Sequence, residues 1–191
     1  MPGELHTGPL SWNGVEDQLP SGIDEAIRAV VDGRRQGLVP NTLCALAAEI
    51  APAARGRSPA EETVRAMASL ARTCSFAHLI APVRPPWKDR YPLTPIERYV
   101  RWRRPDGTLL DPWLRVHERL GGRLSSALPR SMRITGSVGE WEAWTDTVFP
   151  ENGEYVLPAG LATVAIDREA DLGSCWEPNV WVVDEIRDAR S

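Results

Sequence analysis

The chain has 191 residues, a net charge of −4 and a sequence pI of about 5.5. Hydrophobic residues make up 42% and charged residues 25%, which is ordinary for a soluble globular protein with a sizeable core. The charge balance provides no general basic field, and no apolar run approaches the ~20 residues that cross a bilayer. We therefore expect neither nucleic acid nor a membrane as a partner.

Three cysteines, Cys44, Cys74 and Cys175, lie far apart in the sequence. No CxxC pair and no histidine at ligand spacing accompanies them, so we predict reduced thiols rather than disulfides or a metal site. The first 20 residues have neither the basic start nor the apolar segment of a signal peptide. These features together predict a cytoplasmic protein.

The first half of the chain predicts alternating strands and helices. A short strand at 7–12 precedes a helix at 21–37, whose apolar residues recur at three-to-four spacing. Residues 41–51, between two prolines, are small and apolar on both faces. This favours a buried strand, although a helix would also suit the alanines. A helix at 58–73 and a buried strand at 76–83 complete a βαβ unit with a right-handed crossover.

The second half is rich in proline and tryptophan. We predict an insertion at 84–112 with a short helix near 95–102, followed by a helix from Asp111 or Pro112 to Leu120. The later elements are a strand at 123–136 bent at Pro129, an amphipathic helix at 137–149, and closing strands at 160–167 and 179–186. The helix at 137–149 places Trp141, Trp144 and Val148 on one side, and we expect both tryptophans to be core anchors.

The turn before the helix at 58–73 admits two interpretations. Arg55, Gly56 and Arg57 would bring a flexible backbone and two cations to a helix N-terminus, where an anion binds. Ser58 and Glu61 instead have the spacing of a capping box, with Pro59 at the first helical position, and this needs no ligand. Both interpretations stay open on local evidence.

The order strand, turn, helix, strand around this turn resembles the acyl-CoA-binding core of the GNAT acetyltransferase superfamily. The resemblance implies an α/β (α+β) fold, with a mixed central sheet flanked by helices. It implies that the pyrophosphate of coenzyme A lies next to the strand end at Ile50, on Arg55, Gly56, Arg57, Ser58, Pro59 and Ala60. Ser58 stands where the family prefers glycine, Pro59 removes a backbone donor, and Glu61 and Glu62 add negative charge.

A second match is the helix "WLRVHERLGGR" at 113–123, which is similar to a GNAT helix that often contains "Y-E-K-L-G-F". His117 stands at the place of the family's tyrosine, which commonly protonates the leaving thiolate. Histidine could do the same, because its reference pKa of about 6.5 suits neutral pH. The alternative is a half-exposed histidine without a catalytic role. Tyr91 and Tyr99 are alternative acids, and Glu49 is a candidate base or an exposed strand-end residue.

Polar residues directly after the strand at 76–83 are candidates for lining the acceptor site. Ligands of open α/β sheets bind near the carboxyl ends of strands. The alternative is a set of solvated ion pairs. The residues are Arg84, Lys88, Asp89, Arg90 and Tyr91.

Residues from about 8 to 183 resemble a group of bacterial GNAT-like proteins with a long insertion and an added C-terminal section. This implies one domain, made of an N-terminal part at 1–40, the acyl-CoA-binding core at 41–83, the insertion at 84–112 and a C-terminal half at 113–191. Only one short strand precedes the first helix, so the wall that encloses the acceptor in GNAT enzymes is expected to be truncated, unless a partner chain, as in a homodimer, supplies it.

The resemblance implies acyl transfer from an acyl-CoA, with acetyl-CoA as the expected co-substrate, to a small-molecule amine. Two other functions stay open. The chain could be a degenerate relative that binds or assembles without catalysis, or it could use an acyl-CoA for a different reaction in secondary metabolism. A G-x-S-x-G motif, a dinucleotide fingerprint and a phosphate-binding loop are absent from the sequence.

Overall fold

The computed structural model describes residues 3–50 and 57–186. Within these two ranges no helix is both long enough and apolar enough to cross a membrane. Single turns of 3-10 helix occur at Glu16–Gln18 and Pro86–Arg90. The helices and strands, in chain order, are β1 (Gly3–Leu10), α1 (Ile23–Arg35), β2 (Thr42–Ile50), α2 (Arg57–Thr73), β3 (His78–Val83), α3 (Ile96–Tyr99), α4 (Pro112–Arg119), β4 (Arg123–Gly136), α5 (Val138–Thr145), β5 (Gly153–Tyr155), β6 (Val164–Asp167) and β7 (Leu172–Glu185).

The strands form one mixed sheet in the order β1-β2-β3-β7-β6-β5, and β4 pairs with the opposite edge of β7. β2 and β3 are parallel, whereas the other pairs are antiparallel. The second half of β7 pairs with β3, from Val180 to Glu185, and its first half pairs with β6, from Leu172 to Ser174. β7 therefore joins the main sheet to a smaller C-terminal part.

Helices cover both faces of the sheet, because side chains of successive strand residues point in opposite directions. On one face α2, α3 and α4 pack against Leu43, Leu79 and Val182. On the other face α1 packs through Ala26 against Trp181, Ile80 and other buried residues. A third cluster lies under α5 and comprises Val138, Trp141, Phe149, Leu157, Val164 and Ile166.

The predicted strands at 41–51 and 76–83 are confirmed as β2 and β3, with helix α2 between them. The alternative of a helix at 41–51 is wrong, because β2 lies between β1 and β3 in the sheet and exchanges hydrogen bonds with both. The strand at 123–136 is confirmed as β4, and its register shifts between Leu128 and Met132, around the expected bend at Pro129.

Other element predictions need correction. Helix α2 begins at Arg57 rather than Ser58, α3 covers only Ile96–Tyr99, and strand β5 was not predicted. Trp141 is a core residue, but Trp144 is 57% exposed and Val148 76%. The exposure of Trp144 is explained by its contact with Gly136, where a Cβ would lie 2.7 Å from the Trp144 ring. The ring covers this glycine at the end of β4 instead of entering the core.

Candidate functional site

A cleft opens between the two parallel strands. β2 and β3 pair at three positions, the last of which is Cys44 with Ile80. Both strands continue, to Ile50 and Val83, yet no further pair between them occurs among the residues that the structure describes. We call the gap between 45–50 of β2 and 81–83 of β3 the β2–β3 cleft. Its opening shows that the two strands splay apart toward their carboxyl ends.

One wall of the β2–β3 cleft is a free strand edge. β1 pairs with β2 along its whole length, as far as Gly3 with Ile50, so one edge of β2 is satisfied. The edge that faces the cleft carries peptide groups with no strand beside them, and such an edge can bind an extended ligand that has amide groups. Ala47 and Ala48 are small and exposed here, which leaves room for a ligand.

Helix α2 starts close to the carboxyl end of β2. The predicted phosphate-turn residues Arg55 and Gly56 lie outside the described residues. The backbone of Arg57, Ser58 and Pro59 forms the first turn of α2, where N–H groups lack helical partners. Ala60 is 8% exposed and its side chain belongs to the core beneath the helix. Only its backbone is therefore suitably placed for a phosphate.

The negative charge that Glu61 brings to this helix start is compensated. The Arg119 guanidinium, on the last turn of α4, donates to the Glu61 carboxylate on the second turn of α2. Arg65 lies 3.9 Å from the same carboxylate. Glu61 is thus engaged with arginines, and the pairing brings a further cation near the first turns of α2. No sequence pattern indicated this pair, because Glu61 and Arg119 are 58 residues apart.

His117 is deeply buried, contrary to the expectation of a half-exposed residue. It is 1% exposed and packs edge-on against Trp113, with ring centroids 5.1 Å apart. Its Nδ1 has no hydrogen-bond partner among the residues that the structure describes, and burial lowers the pKa of the imidazole to about 4. His117 is therefore neutral at pH 7 in the unliganded protein.

Tyr91 and Tyr99, the two tyrosines considered as acids, differ in solvent exposure. Tyr91 is 39% exposed and packs edge-on against Trp102, at a centroid distance of 4.9 Å. Tyr99 is 1% exposed, and its hydroxyl donates to Asp111 at 2.9 Å. Burial, together with the Asp111 carboxylate, raises the pKa of Tyr99 well above its usual range. Tyr91 is the tyrosine that a ligand can reach.

Asp111 fixes the start of α4 and joins it to the segment after β3. Its carboxylate accepts from the backbone N–H of Trp113 and Leu114 as the helix cap. It also accepts from the backbone N–H of Trp87 at 3.0 Å. Burial raises the pKa of Asp111, although these hydrogen bonds oppose the shift. Asp111 is a structural residue, and it lies at the predicted start of this helix.

The polar residues after β3 do not form one cluster. Lys88 is 1% exposed, and its ammonium donates to the carbonyls of Tyr91, Pro92 and Leu161 at 2.7, 3.2 and 2.7 Å. It joins the insertion to the loop before β6. Arg90 lies over the Trp87 ring at 4.2 Å, which leaves Arg84 as the charged residue directly at the strand end.

Arg84 contacts Glu177 of β7, a residue that the sequence patterns did not single out. Its Nε lies 3.1 Å from the Glu177 carboxylate, and its Nη2 donates to the carbonyl of Ala159. Asn179, two residues after Glu177, is 4% exposed. Both polar residues precede the apolar run at 180–183, and their position beside this run was the available signal.

One cavity lies away from the β2–β3 cleft. It has a volume of about 750 Å³ and is lined by α3, the end of α4 and the start of β4. No residue of β2, α2 or β3 lines it. Its charges are partly neutralised, since Arg103 pairs with Glu118 and Arg123 with Glu16.

Among the described residues no group of three or more His, Cys, Asp or Glu side chains could hold a metal ion.

Comparison with known proteins relates the chain to one enzyme and two solved structures. The chain is 35% identical over 191 residues to arginine N-acetyltransferase avaD of Aspergillus versicolor. The match covers 89% of this chain and 66% of the fungal protein, so the chain spans slightly less than two thirds of that relative. No protein-family model matches.

Both solved structures share the fold at low sequence identity. The loading GNATL domain of CurA from Lyngbya majuscula has a TM-score of 0.58 and 14% identity, with coverage of 96% of this chain and 70% of that one. The GphF GNAT-like decarboxylase, solved in complex with isobutyryl-CoA, has a TM-score of 0.55 and 14% identity, with coverage of 98% and 73%.

Proposed function

The chain belongs to the GNAT superfamily, and from this we propose that it transfers an acyl group from an acyl-CoA to the amine of a small molecule. The name of its fungal relative supports N-acetyl transfer, and the isobutyryl-CoA complex of a structural neighbour supports use of an acyl-CoA. We propose acetyl-CoA as the co-substrate and an amino acid such as arginine as the acceptor.

The observation that carries this proposal is the β2–β3 cleft. The free edge of β2 beyond Cys44 can hydrogen-bond the two amides in the pantetheine arm of an acyl-CoA, as an added strand would. The thioester would then lie between the splayed strands. The pyrophosphate would lie on the turn from Arg55 to Ala60 and on the N-terminus of α2, where the helix dipole favours an anion.

The transfer itself needs few protein groups. The amine nitrogen attacks the thioester carbonyl, so that a C–N bond forms and the C–S bond breaks. Glu49 or a water molecule takes the proton from the amine, and an acid returns a proton to the leaving thiolate. We propose Tyr91 as this acid ahead of His117, because Tyr91 is exposed and His117 is buried and neutral. Positioning and polarising the thioester supply most of the acceleration.

We also propose a cytoplasmic location, on the basis of the cysteines. Cys44, Cys74 and Cys175 are all free thiols, and Cys74 is exposed. A reducing compartment would keep them in this state.

Calorimetric titration with acetyl-CoA tests the proposal. We expect 1:1 binding, and we expect Arg55→Ala to weaken it by the ~1.5–3 kcal/mol of a hydrogen bond to a charged group. Arg35→Ala is the matched control, since Arg35 lies at the end of α1 and pairs with Asp32. Absence of binding up to millimolar acetyl-CoA would rule out the enzyme. Binding without transfer to arginine or other amines would favour a non-catalytic binding module.

A further inference from the structure

Arg84 places a positive charge at the end of the β2–β3 cleft. It is the first residue after β3, which ends at Val83 and forms one wall of the cleft with residues 81–83. Open α/β sheets bind ligands beside the carboxyl ends of their strands. A guanidinium at this strand end suits an anionic ligand group, because its planar fork matches the geometry of a carboxylate.

Two partners from distant parts of the chain hold the Arg84 side chain. Its Nε lies 3.1 Å from the Glu177 carboxylate on β7, and its Nη2 donates to the carbonyl of Ala159 at 3.2 Å. The Glu177 side chain is 18% exposed, whereas the Arg84 side chain is 45% exposed. The guanidinium is therefore the more accessible member of the pair for an anion from solvent. It also has more N–H donors than these two contacts use.

The loop at 157–161 keeps the second of these partners in place. Leu157 and Leu161, at the two ends of the loop, are 7% and 2% exposed. Ala159 between them has a φ of 59°, in the left-handed region that residues other than glycine rarely adopt. Its carbonyl is the one that accepts from Arg84. Strained backbone of this kind is concentrated at binding and catalytic sites.

The geometry of Arg84 fits recognition of a ligand better than support of the fold. The ion pair with Glu177 contributes little to stability, because the guanidinium is nearly half exposed. A side chain that two partners already hold loses little further rotamer freedom when a ligand arrives, so binding costs less conformational entropy. The Arg84 guanidinium is thus preorganised beside the cleft.

We propose that Arg84 binds the carboxylate of the acceptor, so that the acceptor is an amino acid. This inference rests on the proposed acyl transfer and adds the group by which the acceptor is recognised. In an amino acid the α-carbon alone separates the carboxylate from the α-amino nitrogen. A carboxylate on Arg84 therefore places that nitrogen beside the end of the cleft, next to the proposed position of the thioester. A guanidinium stays charged in proteins, so Arg84 orients the acceptor and takes no proton from it.

Arginine and argininamide are the two acceptors that test this role. Argininamide keeps the α-amino group and the side chain of arginine, but a neutral amide replaces the carboxylate. We expect kcat/KM of the wild type to be about ten- to hundred-fold higher for arginine, the value of a hydrogen bond to a charged group. Arg84→Gln should lower kcat/KM for arginine by about this factor, and should change kcat/KM for argininamide and the acetyl-CoA Kd less than about two-fold. The pKa values of the acceptors cancel when variant and wild type are compared.

Two further variants separate recognition from anchoring. Glu177→Gln removes the ion pair but keeps the guanidinium, so the preference for arginine should stay or increase. Arg168→Gln is the matched control, since Arg168 is 47% exposed, lies 3.9 Å from the Glu142 carboxylate and donates to a backbone carbonyl, but follows β6. It should leave the preference unchanged. If Arg84 only anchored the fold, Arg84→Gln would lower the activity toward both acceptors alike.

The outcomes distinguish this inference from the proposed function. A wild-type protein that binds no acetyl-CoA overturns both. An active wild type without a preference for arginine over argininamide overturns the role of Arg84 alone, as does a preference that Arg84→Gln leaves unchanged. Equal losses with both acceptors in Arg84→Gln would show a structural role and contradict recognition of the carboxylate.

Discussion

The guanidinium of Arg119 pairs with the carboxylate of Glu61, and this pairing joins the last turn of α4 to the second turn of α2. The side chains are 45% and 29% exposed, so the pair adds little to stability. The pair matters more for the electrostatic potential at the start of α2. The pair removes most of the negative charge that Glu61 would otherwise present to an anion at the start of α2.

Arg119→Gln should weaken acetyl-CoA binding about two- to five-fold, because it leaves the Glu61 charge uncompensated near the helix N-terminus. The free energy of unfolding should fall by less than about 1 kcal/mol. Adding Glu61→Gln should restore the affinity. The control is Arg103→Gln, which breaks the similarly exposed pair with Glu118 beside the large cavity. An equal loss of affinity in the single and double variants would contradict this account.

Tyr91→Phe should lower kcat about ten-fold or more, because the leaving thiolate loses its proton donor. His117→Phe should retain kcat with an unchanged pH–rate profile, since the buried imidazole is already neutral at pH 7. Steady-state kinetics of both variants between pH 6 and pH 9 would decide between the two residues. A large loss in His117→Phe, with wild-type kcat in Tyr91→Phe, would exchange their roles.

Asp184→Asn should change the pH dependence of stability. Burial raises the pKa of Asp184 to about 6, and its Oδ2 has no hydrogen-bond partner within 3–50 and 57–186. An acid whose folded pKa exceeds its unfolded value of about 4 favours the folded state when protonated. Its contribution is therefore present below about pH 4 and is lost as pH rises through 6.

Urea denaturation at pH 4 and pH 8 measures this effect. Relative to the wild type, Asp184→Asn should gain on the order of 1–3 kcal/mol of unfolding free energy between pH 4 and pH 8. His117 is present in both proteins, so its own titration cancels in the comparison. A difference between the two proteins that does not vary with pH would show that Asp184 has an ordinary pKa.

Lys88→Met should reduce the free energy of unfolding by about 2–4 kcal/mol, because three buried carbonyl groups lose their donor. Arg90→Met is the control, since Arg90 makes a cation–π contact with Trp87 worth about 1 kcal/mol. Chemical denaturation at pH 7 measures both variants. If Lys88→Met were as stable as the wild type, the cost of burying the ammonium would equal the value of its hydrogen bonds.

Sequence patterns predicted the parts of the fold that are determined by residues close together in the sequence. The prolines on either side of 41–51 and the small apolar residues between them indicated β2, and three-to-four spacing indicated α2. Asp111 before Pro112 indicated the start of α4. In each case neighbouring residues determine the structure, so the sequence contains the signal.

Sequence patterns failed where distant residues determine the environment. "RPPWKDRY" was interpreted as an acceptor-site lining or a set of solvated ion pairs, yet Lys88 is buried and its ammonium donates to the carbonyl of Leu161, 73 residues away. His117 has the spacing of an exposed helical residue, but its packing against Trp113 and the sheet buries it. Asn179, directly before "VWVV", was not singled out, because its place beyond the last β3–β7 pair depends on strand pairing.

Hydrogen exchange of the chain with and without acetyl-CoA, followed by mass spectrometry, tests the central claim most directly. If an acyl-CoA binds in the β2–β3 cleft, exchange should slow in peptides covering 45–50, on the free edge of β2, and 57–60, in the first turn of α2. Peptides covering β5 and β6 should not change. Unchanged exchange at millimolar acetyl-CoA, or protection confined to the cavity between α3 and β4, would contradict the account.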